Sequence, residues 1–367
     1  MNTPATSPSF PLIQSDVELQ GRNTLALPCK AAFFTELTHP EQLPHLRTAP
    51  EIARRQRFVL GGGSNLVLPR EFPGLVIAVA LKGRTLAGSD DAAHFVTAAA
   101  GENWHDFVLW TLENGMPGLE NLLLIPGSVG AAPIQNIGAY GLEVGDMFEA
   151  LDAYDFLAGK MRRFTAKECA FGYRESLFKR EGWHLEGRFL ITAVTFRIPK
   201  KWQPRPGYGD LMAELAQCGI ATPTPEQIAE AVMRLRRQKL PDPAHLPNAG
   251  SFFQNPVVSA EFAAALGKAH PGLPRYPQAD GQVKLAAGWL IEQAGWKGRN
   301  LGPVGMYERQ ALILVNRGGA TQEEVRVLSR VIREAVLARF GINLIPEPVF
   351  CVLRTAICPD DSPKNPG

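Results

Sequence analysis

Gly118-Leu-Glu-Asn-Leu-Leu-Leu-Ile-Pro-Gly-Ser-Val-Gly-Ala-Ala-Pro-Ile-Gln-Asn-Ile-Gly-Ala-Tyr-Gly141 is the stretch on which the reading of this chain turns. Its only charged residue is Glu120. Glycine and proline interrupt it too often for one helix, and it lacks the alternation of a strand. Small side chains over this length let the backbone come close to something flat or extended, such as a cofactor. The competing reading is an internal loop packed tightly on itself.

Working outward from it, Arg57-Phe58-Val59-Leu60 upstream reads as a strand that runs into Gly61-Gly62-Gly63-Ser64-Asn65-Leu66. Three glycines in a row let backbone N–H groups converge on an anion, because no Cβ blocks the approach. The turn is neither the G-x-G-x-x-G fingerprint nor a P-loop, so a flexible hairpin is the alternative. Downstream, Asn248-Ala-Gly-Ser-Phe-Phe-Gln-Asn-Pro256 sets Ser251 between Gly250 and two aromatics. No G-x-S-x-G elbow surrounds it, and none of the seven histidines has a telling motif, so a hydrolase triad is unsupported. Taken alone, Ser251 reads as structural.

Together, and in this order, the three stretches resemble the motifs of the UDP-N-acetylenolpyruvoylglucosamine reductase (UDP-N-acetylmuramate dehydrogenase) family, in the branch with an extra tyrosine loop. The resemblance runs from about residue 23 to 350. It implies an α+β chain: a two-part FAD-binding module of the vanillyl-alcohol-oxidase type, then an α+β substrate-binding domain. By position, Gly61, Gly62, Gly63, Ser64, Asn65 and Leu66 match the turn that cradles the FAD pyrophosphate. Pro126, Gly127, Ser128, Gly130, Ala131, Gln135, Asn136, Gly138, Ala139 and Tyr140 match the segment that wraps the flavin. Arg174, in Tyr173-Arg174-Glu175-Ser176, matches a catalytic arginine, Ser251 a catalytic serine and Glu347 a catalytic glutamate. Tyr208, Lys239, Asn255 and Gln310 match positions that bind the UDP-sugar. Four positions depart from the pattern: Glu175 stands for Asp, Ile345 for an acid, Pro348 follows the glutamate, and Gln254 stands where lysine is common. The implied activity is FAD-mediated, NADPH-dependent reduction of an enolpyruvyl ether. The rivals are an FAD oxidase or dehydrogenase of another substrate on the same module, and a non-catalytic flavin-binding protein.

The bulk properties agree with a globular enzyme. Hydrophobic residues make up 45% and charged residues 20% of 367, which excludes a disordered chain. A net charge of +2 gives no prompt toward nucleic acid. The densest basic cluster, 234–239, reads as a solvated helix face, with a phosphate-facing role for one member left open. No apolar run approaches the roughly 18–20 residues of a membrane span, and the N-terminus does not read as a secretory signal. Five scattered cysteines without a C-x-x-C suggest reduced, mostly buried thiols in the cytoplasm and no metal site. The family resemblance suggests a monomer.

Further strands are expected at 74–79, 94–98, 189–196, 311–316 and 349–353, and a helix at 104–114. Thr224-Pro-Glu-Gln227 and Thr321-Gln-Glu-Glu324 are capping boxes that open two more helices. Residues 199–206 hold three prolines, a stiff connector, and mark the expected main boundary. The division is thus a frayed tail at 1–22, the FAD-binding domain at 23–200 as two α/β subdomains, the substrate-binding domain at 201–355 and a second tail at 356–367.

Overall fold

A computed structural model describes residues 10–205 and 209–351. Its first sheet is built around Glu71–Val79, flanked in parallel by Lys30–Leu37 and Arg57–Leu60. The central strand is buried on both faces, as the middle of a parallel arrangement requires. Phe72, Val76 and Ala78 point into one core, while Leu75 and Ile77 point into another on the opposite face. The side-chain period of two thus feeds two cores from one apolar run.

Gln14–Glu18 adds an antiparallel edge strand to this sheet, pairing Gln14 with Phe34 and Glu18 with Lys30. This corrects the expectation of a frayed tail over 1–22. Leu19 is fully buried and Val17 packs beside it in the first core. The pattern is hard to see because Asp16 and Glu18 stand on the exposed edge.

The second sheet runs Lys160–Thr165, Phe148–Asp155, Phe189–Pro199, Ala93–Ala99, Arg84–Ser89, antiparallel throughout. The subdomain is therefore α+β, not the α/β expected; its strands join by hairpins as well as longer connections. The helix Trp104–Glu113 lays Trp104, Phe107 and Val108 on its core, with the side chain of Asn103 accepting from the Asp106 N–H at its start. The expected strands at 57–60, 74–79, 94–98 and 189–196 are all present within these sheets.

Two helices after the proline connector, Gly209–Gln217 and Pro225–Lys239, bury Leu211, Leu215, Ile228, Val232 and Leu235 in this same second core. The break in packing therefore does not follow the connector near 200. It lies after Lys239, where Pro241 and Pro243 stop the helix. Beyond it a separate core forms between the sheet Asn248–Ser251, Ile313–Asn316, Val304–Met306, Asn300–Leu301 and the helices Ala287–Gln293 and Gln322–Phe340. Both capping boxes form as read, and Gly341 closes the last helix with φ +68°.

Among the described residues no helix is long and apolar enough to cross a membrane, and no group of three acidic, histidine or cysteine side chains could hold a metal. Cys29, Cys169 and Cys351 are buried free thiols and Cys218 is an exposed one; Cys358 lies outside the described residues. Burial pushes the thiols of Cys29, Cys169 and Cys351 up to about 12. At pH 8 an alkylating reagent should therefore modify Cys218 well before these three, because the thiolate is the reactive form. Peptide mapping by mass spectrometry against reaction time checks this order.

Candidate active site

The glycine turn and the 118–141 stretch face each other across a cleft. The strand Arg57–Leu60 delivers the turn, and backbone bonds hold the opposite wall to the second sheet: Val129 N–H donates to Glu102 O at 2.9 Å and Gly130 N–H to Ala100 O at 2.9 Å. The walls approach so closely that side chains are excluded. A Cβ on Gly62 would lie 2.7 Å from the Gly127 Cα, one on Gly61 2.6 Å from the Ser128 Oγ, and one on Gly130 2.5 Å from the Ala100 Cβ. Ser64 Oγ ties the two walls by donating to Pro126 O at 2.9 Å.

The cleft opens to solvent at its mouth and runs between both glycine-rich walls, an elongated shape lined largely by backbone and small side chains. Gly61, Gly62, Gly63, Ser64, Asn65, Leu66, Pro126, Gly127, Ser128, Gly130, Ala131, Gln135 and Gly138 line it, together with Arg174, Ser251 and Glu347.

Arg174 comes from a tight turn after Phe171, closed by Gly172 N–H to Glu175 O at 3.0 Å and Glu175 N–H to Gly172 O at 3.1 Å. Its backbone is left-handed, φ +54°, which few side chains adopt. Its Nε donates to Glu347 Oε1 at 3.0 Å and its Nη2 to Gly138 O at 2.8 Å. Nη1 is buried with no partner. Ser176, the last residue of the motif, is fully buried and its hydroxyl donates to Ile134 O at 2.5 Å. The serine thus fastens the arginine turn to the 118–141 wall.

Glu347 arrives from the end of the described chain. Val349–Phe350 pairs in parallel with Leu66–Val67, just behind the glycine turn. Glu347 N–H donates to Phe252 O at 2.8 Å, which brings the carboxyl to the strand Asn248–Ser251. Burial raises the Glu347 carboxyl above the ordinary range, against the opposing pull of Arg174 and Lys179. Ser251 follows Gly250, φ +68°, at an irregularity in the pairing with Ile313.

Two cations in the wall were not picked out from sequence. Arg236 turns inward from the helix Pro225–Lys239, burial lowers its pKa, and its Nε is buried without a partner. It belongs to the 234–239 cluster read as a solvated face; the helical position of Leu235 and Val232 in the core was the available signal. Lys179, on Leu177–Arg180, is the other.

Several expected positions stand apart. Asn136 is buried behind the wall, its amide donating to Glu143 Oε2 at 2.7 Å and Gly172 O at 3.0 Å. Tyr140 and Ala139 pack against the second core. Asn255 accepts from Ala287 N–H at 3.0 Å, and its own N–H donates to the Tyr173 hydroxyl at 3.3 Å, beside a second cleft. Lys239 pairs with Asp210 at 2.5 Å near the helix end. The Gln310 side chain accepts from Leu312 N–H at 3.3 Å, away from the main cleft. Tyr208 lies outside the described residues.

This geometry has relatives. Residues 32–165 match the model of an FAD binding domain, and 242–351 match that of the UDP-N-acetylenolpyruvoylglucosamine reductase C-terminal domain. A reductase of that name from Dechloromonas aromatica is 57% identical over 92% of this chain and 98% of its own. The chain belongs to the UDP-N-acetylenolpyruvoylglucosamine reductase family. A second member, from Burkholderia ambifaria, is 53% identical over 92% of this chain and 96% of its own. The crystal structure of the Thermus caldophilus reductase shares the fold, with a TM-score of 0.64 over 93% of this chain and 99% of that one at 24% identity. The expected α+β architecture, an FAD-binding module followed by a reductase C-terminal domain, is thus the observed one, and the second model begins where the packing breaks.

The protein is an FAD-dependent oxidoreductase of this family, and the cleft fits that cofactor. Ser128 Oγ and Arg236 Nε in its lining are buried donors in need of a partner, and the close contacts of Gly61 and Gly62 with Gly127 and Ser128 set the spacing of the two walls. Gly62→Ala should force the two walls apart, because the obstructing atom is backbone. The expected result is a loss of FAD affinity of about tenfold or more, roughly 1.4 kcal/mol. Titration of the stripped protein with FAD, followed by flavin fluorescence, checks it.

Proposed function

We propose that this reductase converts UDP-N-acetylglucosamine-enolpyruvate to UDP-N-acetylmuramate with NADPH as reductant, a cytoplasmic step in the supply of peptidoglycan precursors, and that it acts as a monomer on a small sugar nucleotide with no nucleic-acid or membrane partner. The observation that carries the reading is the meeting of Arg174, Glu347 and Ser251 on one cleft from three separate parts of the chain.

FAD, which Gly61 to Leu66 and the Pro126 to Gly138 wall would hold, would supply the hydride chemistry between NADPH and the enolpyruvyl group. The residues do the rest. Hydride arrival at C3 throws negative charge onto C2 and the adjoining carboxylate. Arg174 is a permanent cation whose buried Nη1 has no protein partner, and it is suited to grip that carboxylate. Ser251 then gives its proton to C2, which completes the lactyl ether; water restores the hydroxyl proton. Glu347, with its carboxyl raised by burial, offers a neutral acid that hydrogen-bonds near the developing charge. Lys239, Asn255, Gln310 and Tyr208 hold the nucleotide part of the substrate.

The test separates the half-reactions. Under anaerobic conditions NADPH should bleach the flavin band, and the enolpyruvyl substrate should restore it. Reoxidation by oxygen alone would point instead to the oxidase reading. Ser251→Ala should leave reduction by NADPH intact and slow reoxidation by about 10²–10⁴-fold; equal slowing of both steps sinks the proton-donor role.

Glu347 predicts the pH profile. A carboxyl with a raised pKa keeps its proton below that value and loses it as pH rises through it. Substrate-driven reoxidation should therefore decline on the alkaline side, at a pH above the usual carboxylate range. In Glu347→Gln that limb should vanish from the stopped-flow profile.

A further inference from the structure

Lys179 stands in the wall of the cleft without a part in the chemistry above. Its ammonium donates to the main-chain carbonyl of Arg174 at 2.8 Å. That carbonyl belongs to the residue with φ +54°. A side chain held in the left-handed region persists only where its surroundings enforce it. Here the turn is closed by the paired Gly172 and Glu175 main-chain bonds, and the lysine grips the carbonyl at its tip.

The turn decides where the guanidinium goes. Opening it would swing Arg174 off both Gly138 O and Glu347 Oε1. Lys179 is itself half-buried, and burial depresses its ammonium. Sinking a charge costs free energy, so a lysine that serves only to end a four-residue helix could do so from the surface, as its neighbour Arg180 does. Glu175 faces the ammonium from the turn and helps to keep it charged, while the Arg174 cation opposes it.

We propose that Lys179 is a positioning residue for Arg174: by clamping the Arg174 carbonyl it locks the left-handed turn, so that the guanidinium stays spread between Gly138 and Glu347 where the substrate carboxylate is met. This rests on the reading of Arg174 as the cation for that carboxylate.

The experiment uses FAD-loaded enzyme with Lys179→Met, Lys179→Arg and Arg174→Ala. Three readouts are taken: the two half-reaction rates by anaerobic stopped flow, the Kd of UDP-N-acetylglucosamine-enolpyruvate from perturbation of the oxidised flavin spectrum, and thermal unfolding. Lys179→Met is expected to slow substrate-driven reoxidation by about tenfold or more, as a small misplacement of a binding group does, and to weaken substrate binding in parallel. Reduction by NADPH should stay within about twofold of the parent. Lys179→Arg, which keeps both charge and donor, should restore most of the loss. Equal slowing of both half-reactions, no slowing of either, or an arginine variant as poor as the methionine one would overturn the proposal. Should Lys179→Met fail to hold flavin or melt early, Lys179→Gln, a neutral donor, takes its place with the same expectation at smaller size. Arg174→Ala separates the two layers. If it leaves reoxidation intact, the role of Arg174 is wrong; if it slows reoxidation while Lys179→Met does not, only the positioning role falls.

Discussion

Everything at this site depends on a few backbone hydrogen bonds that bring the end of the described chain back to its beginning. Val349 N–H donates to Asn65 O at 2.9 Å, and Glu347 N–H to Phe252 O at 2.8 Å. Those two bonds, from residues two apart, fix one short segment against the glycine turn and against the serine strand. The Asn65 side chain adds a third tie, donating to Glu347 O at 3.3 Å and to Gln135 Oε1 at 2.7 Å. Buried backbone groups must be paired, so these contacts are satisfied donors and acceptors before they are anything else. Their effect is to make three folding units share one cleft. Without them, each unit has a core, but the acid, the hydroxyl and the dinucleotide walls have no common address.

The electrostatics follow from that convergence. Arg174 Nε donates to Glu347 Oε1 at 3.0 Å with both side chains largely removed from water, and Lys179 and Arg236 also stand in the wall. A buried contact of this kind is weak evidence for stability, because the cost of desolvation offsets the attraction. Its value here is geometric and chemical. The guanidinium is left with an unsatisfied donor, and the carboxyl is lifted above its usual range by burial. The guanidinium is poised to gain from an arriving anion, which restores to it what burial took away.

Much of this was legible in the sequence because it was local. Turn-forming glycines and capping threonines are readable from neighbours a few residues apart, whereas Arg174, Ser251 and Glu347 were marked only by the family resemblance and not by their neighbours, Ser251 alone reading as structural. What escaped reading was decided at long range. The edge strand Gln14–Glu18 takes its place from the following strand Lys30–Leu37, and its acids disguise the buried Leu19. The helices after the proline connector were assigned forward, yet their apolar faces fill the second core behind them. A connector's stiffness says where the chain is extended; it does not say which core the next helix will choose. Arg236 escaped for a related reason, since a basic run on a helix shows its charge but not which member points inward. Asn136, expected beside the cofactor, instead braces the wall from behind, a role that only the positions of Glu143 and Gly172 reveal.

The parallel pairing of Val349–Phe350 with Leu66–Val67 also orders events in time. A ribosome releases the chain from its N-terminus, so both sheets of the cofactor module emerge and can close while the rest is still being made. The short strand that carries the glutamate into place comes last among the described elements. A nascent chain can therefore close both cofactor sheets well before the strand that seats Glu347 has been made, so the glycine walls can fold on their own schedule and the seam behind them is stitched afterwards.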